Sequence, residues 1–353
     1  MSGAMEPPRG LKALHRSWVS LLVGVAFSAG LAYLAVRTVR WSEVLQAFRQ
    51  VEYRYLVLAA LGVAVMHGLR ALRIVVILHP VRRIRLWPAF CYTSIGFLAI
   101  LVVPFRIGEL ARPLLLAEHE DVPFATGLAV VAVERCLDGL VFSGLIALLT
   151  HWLPLPGWAA SLGYLMGVGY LIFLALLIWA WLRRESCVPL ITRIGQWLRP
   201  TTGHVIGEAF GRFLDGLAFL PDSRAVRVTV LLSIVLWLTG ICVNYVSFFA
   251  LGLGLSVMAA AVLQILITVG VLLPTVPGAL GSFQFFTVMG LELFGVGGAL
   301  ALTYAIVVHA MVLIANVLLG LVCSFTLRAT WWSRLWALAA AQGNADTTEG
   351  RGP

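Results

Sequence analysis

The sequence predicts an all-α polytopic membrane protein with six full transmembrane helices and two re-entrant helical hairpins in an inverted-repeat arrangement. Three observations carry that expectation. Of the 353 residues, 61% are hydrophobic and only 12% charged, with a mean hydropathy of +0.96, whereas soluble globular domains are about 25% charged. Six apolar runs are long enough for a hydrocarbon core of about 30 Å, which takes around 20 residues of helix: Trp18–Val36, Tyr55–Leu78, Val122–Leu149, Trp158–Leu182, Val228–Leu251 and Ala299–Leu327. A matching heptad interrupts apolar sequence twice, as Val103-Pro104-Phe105-Arg106-Ile107-Gly108-Glu109 and as Val276-Pro277-Gly278-Ala279-Leu280-Gly281-Ser282.

The first run exceeds the usual signal-peptide core of about 7–15 residues and reads as an uncleaved span. Between Arg37 and Arg54, the residues Trp41, Val44, Leu45, Phe48 and Val51 form an apolar stripe at helical spacing, which predicts an amphipathic helix in the interface. Two further runs are broken: Ala89–Val103 rises about 22 Å before Pro104, and Val257–Leu273 meets Pro274, Pro277 and Gly278. Their return limbs, Arg106–Glu118 and Ser282–Phe294, are too short to span and are expected to re-emerge on the side they entered. An unpaired backbone group in hydrocarbon costs several kcal/mol, so such breaks survive only inside protein or beside a wet cavity. The expected organisation is one transmembrane domain over 1–335, with hairpins at 88–119 and 257–296, an amphipathic cytoplasmic segment at 183–227, and a disordered tail at 336–353.

Charge gives an independent check. With both hairpins re-entrant, the basic segments before Trp18, at Arg82–Arg85, Arg106–Arg112, Arg183–Arg227 and Arg328–Arg334 all fall on the cytoplasmic side, as do both termini. Eight plain crossings would instead put the seven arginines of Arg183–Arg227 outside. The four arginines of Arg37–Arg54 are the misfit. Because the bases flank apolar runs, the net charge of +9 needs no nucleic-acid partner. The five cysteines are scattered singly, without metal or redox spacing. No glycine loop of the GxxxxGK[ST] type offers ATP hydrolysis, and no metal or cofactor is expected.

Two constellations carry candidate chemistry in the first half. On the return limb, Arg106, Glu109 and Arg112 follow i+3 steps, while Ile107, Leu110, Ala111, Leu114 and Leu115 make an apolar face. Such a stripe either meets an anionic headgroup, for which arginine offers a planar fork of donors, or satisfies itself at the interface. Glu134, Arg135 and Asp138 fall near mid-membrane, where one Arg or Asp costs roughly 2.5–3.5 kcal/mol on translocon scales. They cannot face lipid. Glu134 and Asp138 share a face and Arg135 reaches Asp138 at i+3, so the cluster is either a substrate or proton site or a polar staple between helices.

In the second half, Gly278 and Gly281 allow close backbone approach, and Ser282 and Gln284 follow the break, where free N–H groups can receive an anion. His309 is read as either titrating or packing, Arg70 and Arg73 as snorkelling to the cytoplasmic interface, Asn244 and Asn316 as interhelical hydrogen-bonders, and Gly163-x-x-x-Gly167 as a helix contact.

At Arg106-Ile107-Gly108-Glu109-Leu110-Ala111-Arg112-Pro113, Glu134-Arg135-x-x-Asp138 and Pro277-Gly278-Ala279-Leu280-Gly281, the chain resembles the flippase-like family related to the membrane domain of lysylphosphatidylglycerol synthase. The resemblance covers roughly residues 15–330. It implies an inner-membrane protein that moves lipids or lipid-linked saccharides between leaflets, with Arg106, Gly108, Glu109, Arg112, Glu134, Arg135, Asp138, Pro277, Gly278 and Gly281 as functional positions. Ala279 replaces one of the family's paired glycines, and Gln284 stands near an acidic position. The expected function is therefore a translocase that holds an anionic headgroup between the hairpins, not an enzyme. A lipid-phosphate glycosyltransferase and an accessory subunit of a lipid-modifying complex are the alternatives. Expected partners are a phospholipid or polyprenyl-linked lipid, with a second copy of the chain or lipid-biosynthesis enzymes, and no nucleic acid.

Overall fold

The structure, a computed structural model, describes residues 26, 28–37, 39–102, 108–152, 157–198, 203–273 and 277–327. Among them the chain is helical throughout, with no strand. Most of the first run, residues 103–107 and 274–276 where the hairpin tips are expected, with Arg106, and the tail expected at 336–353 lie outside the described residues.

Residues 28–36 are helical and lead to α1 (Trp41–Arg49). Helix α1 buries Val44 and leaves Trp41 and Leu45 exposed, the two-faced pattern its stripe predicts. The Glu52 N–H donates to the Ala250 carbonyl at 2.8 Å and ties this end to the second half. The helix α2 (Tyr53–Leu78) then runs to the turn before α3 (Leu86–Val102), whose return limb is α4 (Ala111–His119). The long α5 (Phe124–Trp152) and α6 (Gly157–Leu182) follow, with α6 packed on α5 through Gly163 against Ile146 and Gly167 against Ser143. The segment expected to be amphipathic forms two helices, α7 (Arg184–Leu198) and α8 (Gly203–Asp215), laid closely together.

The second half repeats this order. Helix α9 (Ser223–Phe249) is capped by Asp222, whose carboxylate accepts from the Arg224 and Ala225 N–H groups. Ser256 accepts from the Ala259 N–H at the start of α10 (Val257–Leu272). A 3-10 turn at Pro277–Ala279 leads into α11 (Ser282–Glu292), and α12 (Gly298–Leu327) closes the described chain.

Among the described residues, four helical segments are long and apolar enough to cross a membrane: Tyr53–Leu78, Ser161–Leu182, Ser223–Phe249 and Gly298–Leu327. Helix α5 is 29 residues long but carries Glu134, Arg135 and Asp138, so its length rather than its hydropathy marks it. At 17 and 16 residues, α3 and α10 are the shorter apolar helices, each followed by a packed-back partner, α4 or α11. The first pair closes tightly, since a Cβ on Gly108 would fall on the backbone of Ala99 and Ile100. In the second, Gly278 and Gly281 hold φ of +78° and +88°, which L side chains rarely adopt.

The packing follows the repeat, with one break in it. Helices α2 and α9 face each other along their length, α2 meets α3 as α9 meets α10, and α4 meets α5 as α11 meets α12. The exception is the outer contact: α3 lies along α12, whereas its counterpart α10 only grazes α5. Two apolar cores result, one around α9–α12 and one around α2–α5 with the loop after α8.

Candidate functional site

The centre of the site is α5, whose i, i+4 spacing turns Glu134 and Asp138 to the same side as Arg73 of α2. Arg73 is 1% exposed and Glu134 fully buried; Arg73 Nε donates to Glu134 Oε1 at 3.3 Å, and Nη1 to Asp138 Oδ1 at 2.6 Å. The same Nη1 reaches Ser233 Oγ of α9 at 2.9 Å, so one guanidinium ties three helices. From α4, Arg112 Nη1 approaches the second oxygen of Glu134 at 2.6 Å as an ion pair without hydrogen-bond alignment. Arg73 and Arg112 thus balance Glu134 and Asp138 in a buried neutral quartet. Pairing of this kind is what lets charge sit at membrane depth.

The expectation that Arg70 and Arg73 snorkel is corrected. Arg73 points inward because two carboxylates across the helix interface outweigh a distant interface. Arg70 stacks its guanidinium over the Phe97 ring, 4.6 Å from the centroid, with Nε unpaired. A readable signal existed: His67, Arg70 and Arg73 recur every three residues on an otherwise apolar span. His67 joins a second network, its Nε2 donating to Asn316 Oδ1 at 3.1 Å and its Nδ1 accepting from Ser94 Oγ at 3.0 Å. Asn316 and Asn244, the latter donating to Gln264 Oε1 at 2.8 Å, are interhelical as expected.

Arg135 is the outlying member, with its side chain 48% exposed and 3.9 Å from Asp138. It lines a cavity with Glu109, Arg112, Thr93, Gly96, Phe97 and Ile100. At about 20 Å³ this cavity is the size of one water. Four arginines (Arg70, Arg73, Arg112, Arg135) thus surround Glu134 and Asp138, with Glu109 beside the cavity, which leaves the cluster net positive.

The second half builds its own cluster. The Gly281 N–H donates to Gln284 Oε1 at 2.7 Å, Gln284 Nε2 pairs with His309 Nδ1 at 2.9 Å, and Ser282 Oγ donates to the Ala279 carbonyl at 3.1 Å. The Phe283 ring stacks on His309 at 4.1 Å, and His309 also meets the backbone of Gly278. Pro277 opens the 3-10 turn. No ion pair or side-chain hydrogen bond joins this cluster to the first among the described residues. The second cluster meets the first half instead through α3, which packs against the turn at Pro277–Ala279, with Leu101 beside Gly278. Among the described residues, no group of three or more His, Cys, Asp and Glu side chains is placed to hold a metal.

Fold and site together define an all-helical membrane protein with a charged network buried between its spans. Residues 21–320 match the family described as the lysylphosphatidylglycerol synthase TM region, and the chain belongs to that family. Two UPF0104 membrane proteins of Methanothermobacter thermautotrophicus are 24% identical over 228 residues and 26% identical over 239, each match covering 62% of this chain and 67% of the relative. Glycosyltransferase AglD of Haloferax volcanii is 24% identical over 241 residues, which cover 60% of this chain and 39% of that protein. No solved structure matches the chain. The comparisons overturn one expectation. The sequence reads as a non-enzyme, but the family takes its name from a synthase and one relative is named a glycosyltransferase, which points to an enzymatic role.

Proposed function

We propose that this membrane domain binds the anionic headgroup of a phospholipid or polyprenyl-linked lipid beside Arg112 and Arg135 and carries it between leaflets. The observation that carries the reading is the surplus of positive charge. Arg73 and Arg112 are neutralised by Glu134 and Asp138, and Arg135 lines the cavity with Glu109, while Arg70, stacked on Phe97, adds a further cation beside the cluster and leaves it one positive charge in excess. A phosphate supplies the missing charge and accepts arginine's forked donors.

The topology proposed with it is six full crossings and two re-entrant hairpins in one domain over 1–335, with both termini cytoplasmic in the inner membrane. Helix lengths and charge distribution support it. The unequal outer contacts support alternating access: α3 lies closed along α12, with only a small cavity left between α3, α4 and α5, while α10 stands off α5. Exchanging the two arrangements would open the first hairpin and close the second. Proteoliposomes carrying a fluorescent anionic lipid test the site through Arg135→Ala, whose exposed side chain leaves folding intact. At least tenfold slower lipid movement is expected, and the native rate would overturn the assignment.

A second reading is favoured by the likeness to a named glycosyltransferase. Here the same groove presents a lipid phosphate as acceptor for a sugar. Incubation of the purified protein with a labelled nucleotide sugar and a polyprenyl phosphate separates the two, since only this reading yields labelled lipid.

A further inference from the structure

Helices α6 and α9 both pack on α5 but scarcely touch one another, which leaves a slot between them floored by α5. Val133 and Leu137 make the floor, Leu177 and Ile178 one wall, Val230 the other, and Phe219 in the loop after α8 closes the end. The cavity is about 110 Å³ and entirely apolar on its surface. Thr229 lines it too, but its hydroxyl donates to the Ala225 carbonyl at 2.8 Å and leaves only its methyl for the slot. Water finds no hydrogen-bonding partner there, and an apolar cavity near 150 Å³ takes a hydrocarbon guest as large as benzene. The flank of the slot is α6, whose Leu171 and Leu176 are more than half exposed, as residues turned to lipid are.

The first turns of α9, beside the loop after α8, add charge. Arg227 sits one position beyond Val226 of the wall; its guanidinium reaches Ser223 Oγ at 3.3 Å and no carboxylate among the described residues. We propose that the slot is a resident-lipid site: one acyl chain of an anionic glycerophospholipid from the leaflet on the α7–α8 side lies between α6 and α9, its phosphate held at Arg227. The site is separate from the groove at Arg112 and Arg135, because Val133 and Leu137 leave α5 on a different side from Arg135. Its failure therefore leaves the translocase reading untouched.

The test uses the full chain in vesicles containing phosphatidylglycerol with a photoreactive diazirine on one acyl chain, with adducts mapped by peptide sequencing. Adducts at Leu137, Leu177 and Val230 at least fivefold above those at Leu171 and Leu176 are expected. Leu177→Trp fills the slot and should remove them while leaving the adducts on the outer face of α6, and Val230→Trp at the mouth does the same if Leu177→Trp fails to fold. Arg227→Gln should abolish the preference for phosphatidylglycerol over phosphatidylcholine. Uniform labelling along α6, unchanged labelling in the Trp variants, or slot residues shielded from vesicle lipid and crosslinked to a second copy of the chain would each overturn the proposal.

Discussion

Replacing Glu134 by Gln removes one negative charge and keeps the shape of the side chain. In the structure that charge serves two cations at once, Arg73 at 3.3 Å and Arg112 at 2.6 Å, and the carboxylate is fully buried. After the substitution Arg73 keeps Asp138, but Arg112 faces a neutral amide with no other carboxylate in contact among the described residues. Removing one partner of a buried pair costs about 3–5 kcal/mol, because the desolvated charge left behind is uncompensated. Asp138 is 15% exposed and serves mainly Arg73, so Asp138→Asn should cost about 1–3 kcal/mol. Equilibrium unfolding in mixed micelles gives both values. Adding Arg112→Met to Glu134→Gln should recover about half of the loss, since the second change removes the orphaned cation. A loss below about 1 kcal/mol for Glu134→Gln, or no recovery in the double variant, would refute the quartet as the balanced unit of this core.

Gly108→Ala should cost roughly 1–3 kcal/mol by overpacking, because the new methyl meets the Ala99–Ile100 backbone, and thermal unfolding reads it. Gly278→Ala would set its Cβ in ordinary van der Waals contact with Leu313 and Leu101 but at a φ of +78°, so the expected loss is about 1–2 kcal/mol of backbone strain in the same assay. Gln284→Ala severs both the Gly281 N–H bond and the His309 contact and should destabilise by about 1–2 kcal/mol, which Gln284→Glu partly restores. Arg135→Ala should change stability by less than about 1 kcal/mol while weakening binding of an anionic lipid, read by native mass spectrometry.

Much of the architecture was legible in the chain because it depends on local rules. Runs of apolar residues set the long helices to within a few residues; Tyr55–Leu78 corresponds to Tyr53–Leu78 and Ala299–Leu327 to Gly298–Leu327. Pro and Gly marked where α3 and α10 end, since a missing donor or a positive φ acts at the residue that carries it. The acidic pair at Glu134 and Asp138 was visible as charge deep in an apolar run. The partner of that pair was not: Arg135 is its neighbour in sequence, yet Arg73, 61 positions before Glu134, holds the bond. Taken alone, Arg73 is not distinguished from an arginine reaching for the interface, since both readings require only a cation near the end of a span; only its recurrence with His67 and Arg70 points inward.

The sequence by itself determined the helices, the two breaks and the demand that buried charge be paired, all consequences of chain chemistry in a medium without water. Only the tertiary structure decided which cation answers which carboxylate, that Gln284 and His309 form a cluster apart from Glu134, and that α3 lies closed on α12 while α10 stands off α5. Those outcomes depend on how each helix is rotated and how deeply it is set against its neighbours. Rotation and depth come from the summed packing of many side chains, which no local pattern along one helix encodes.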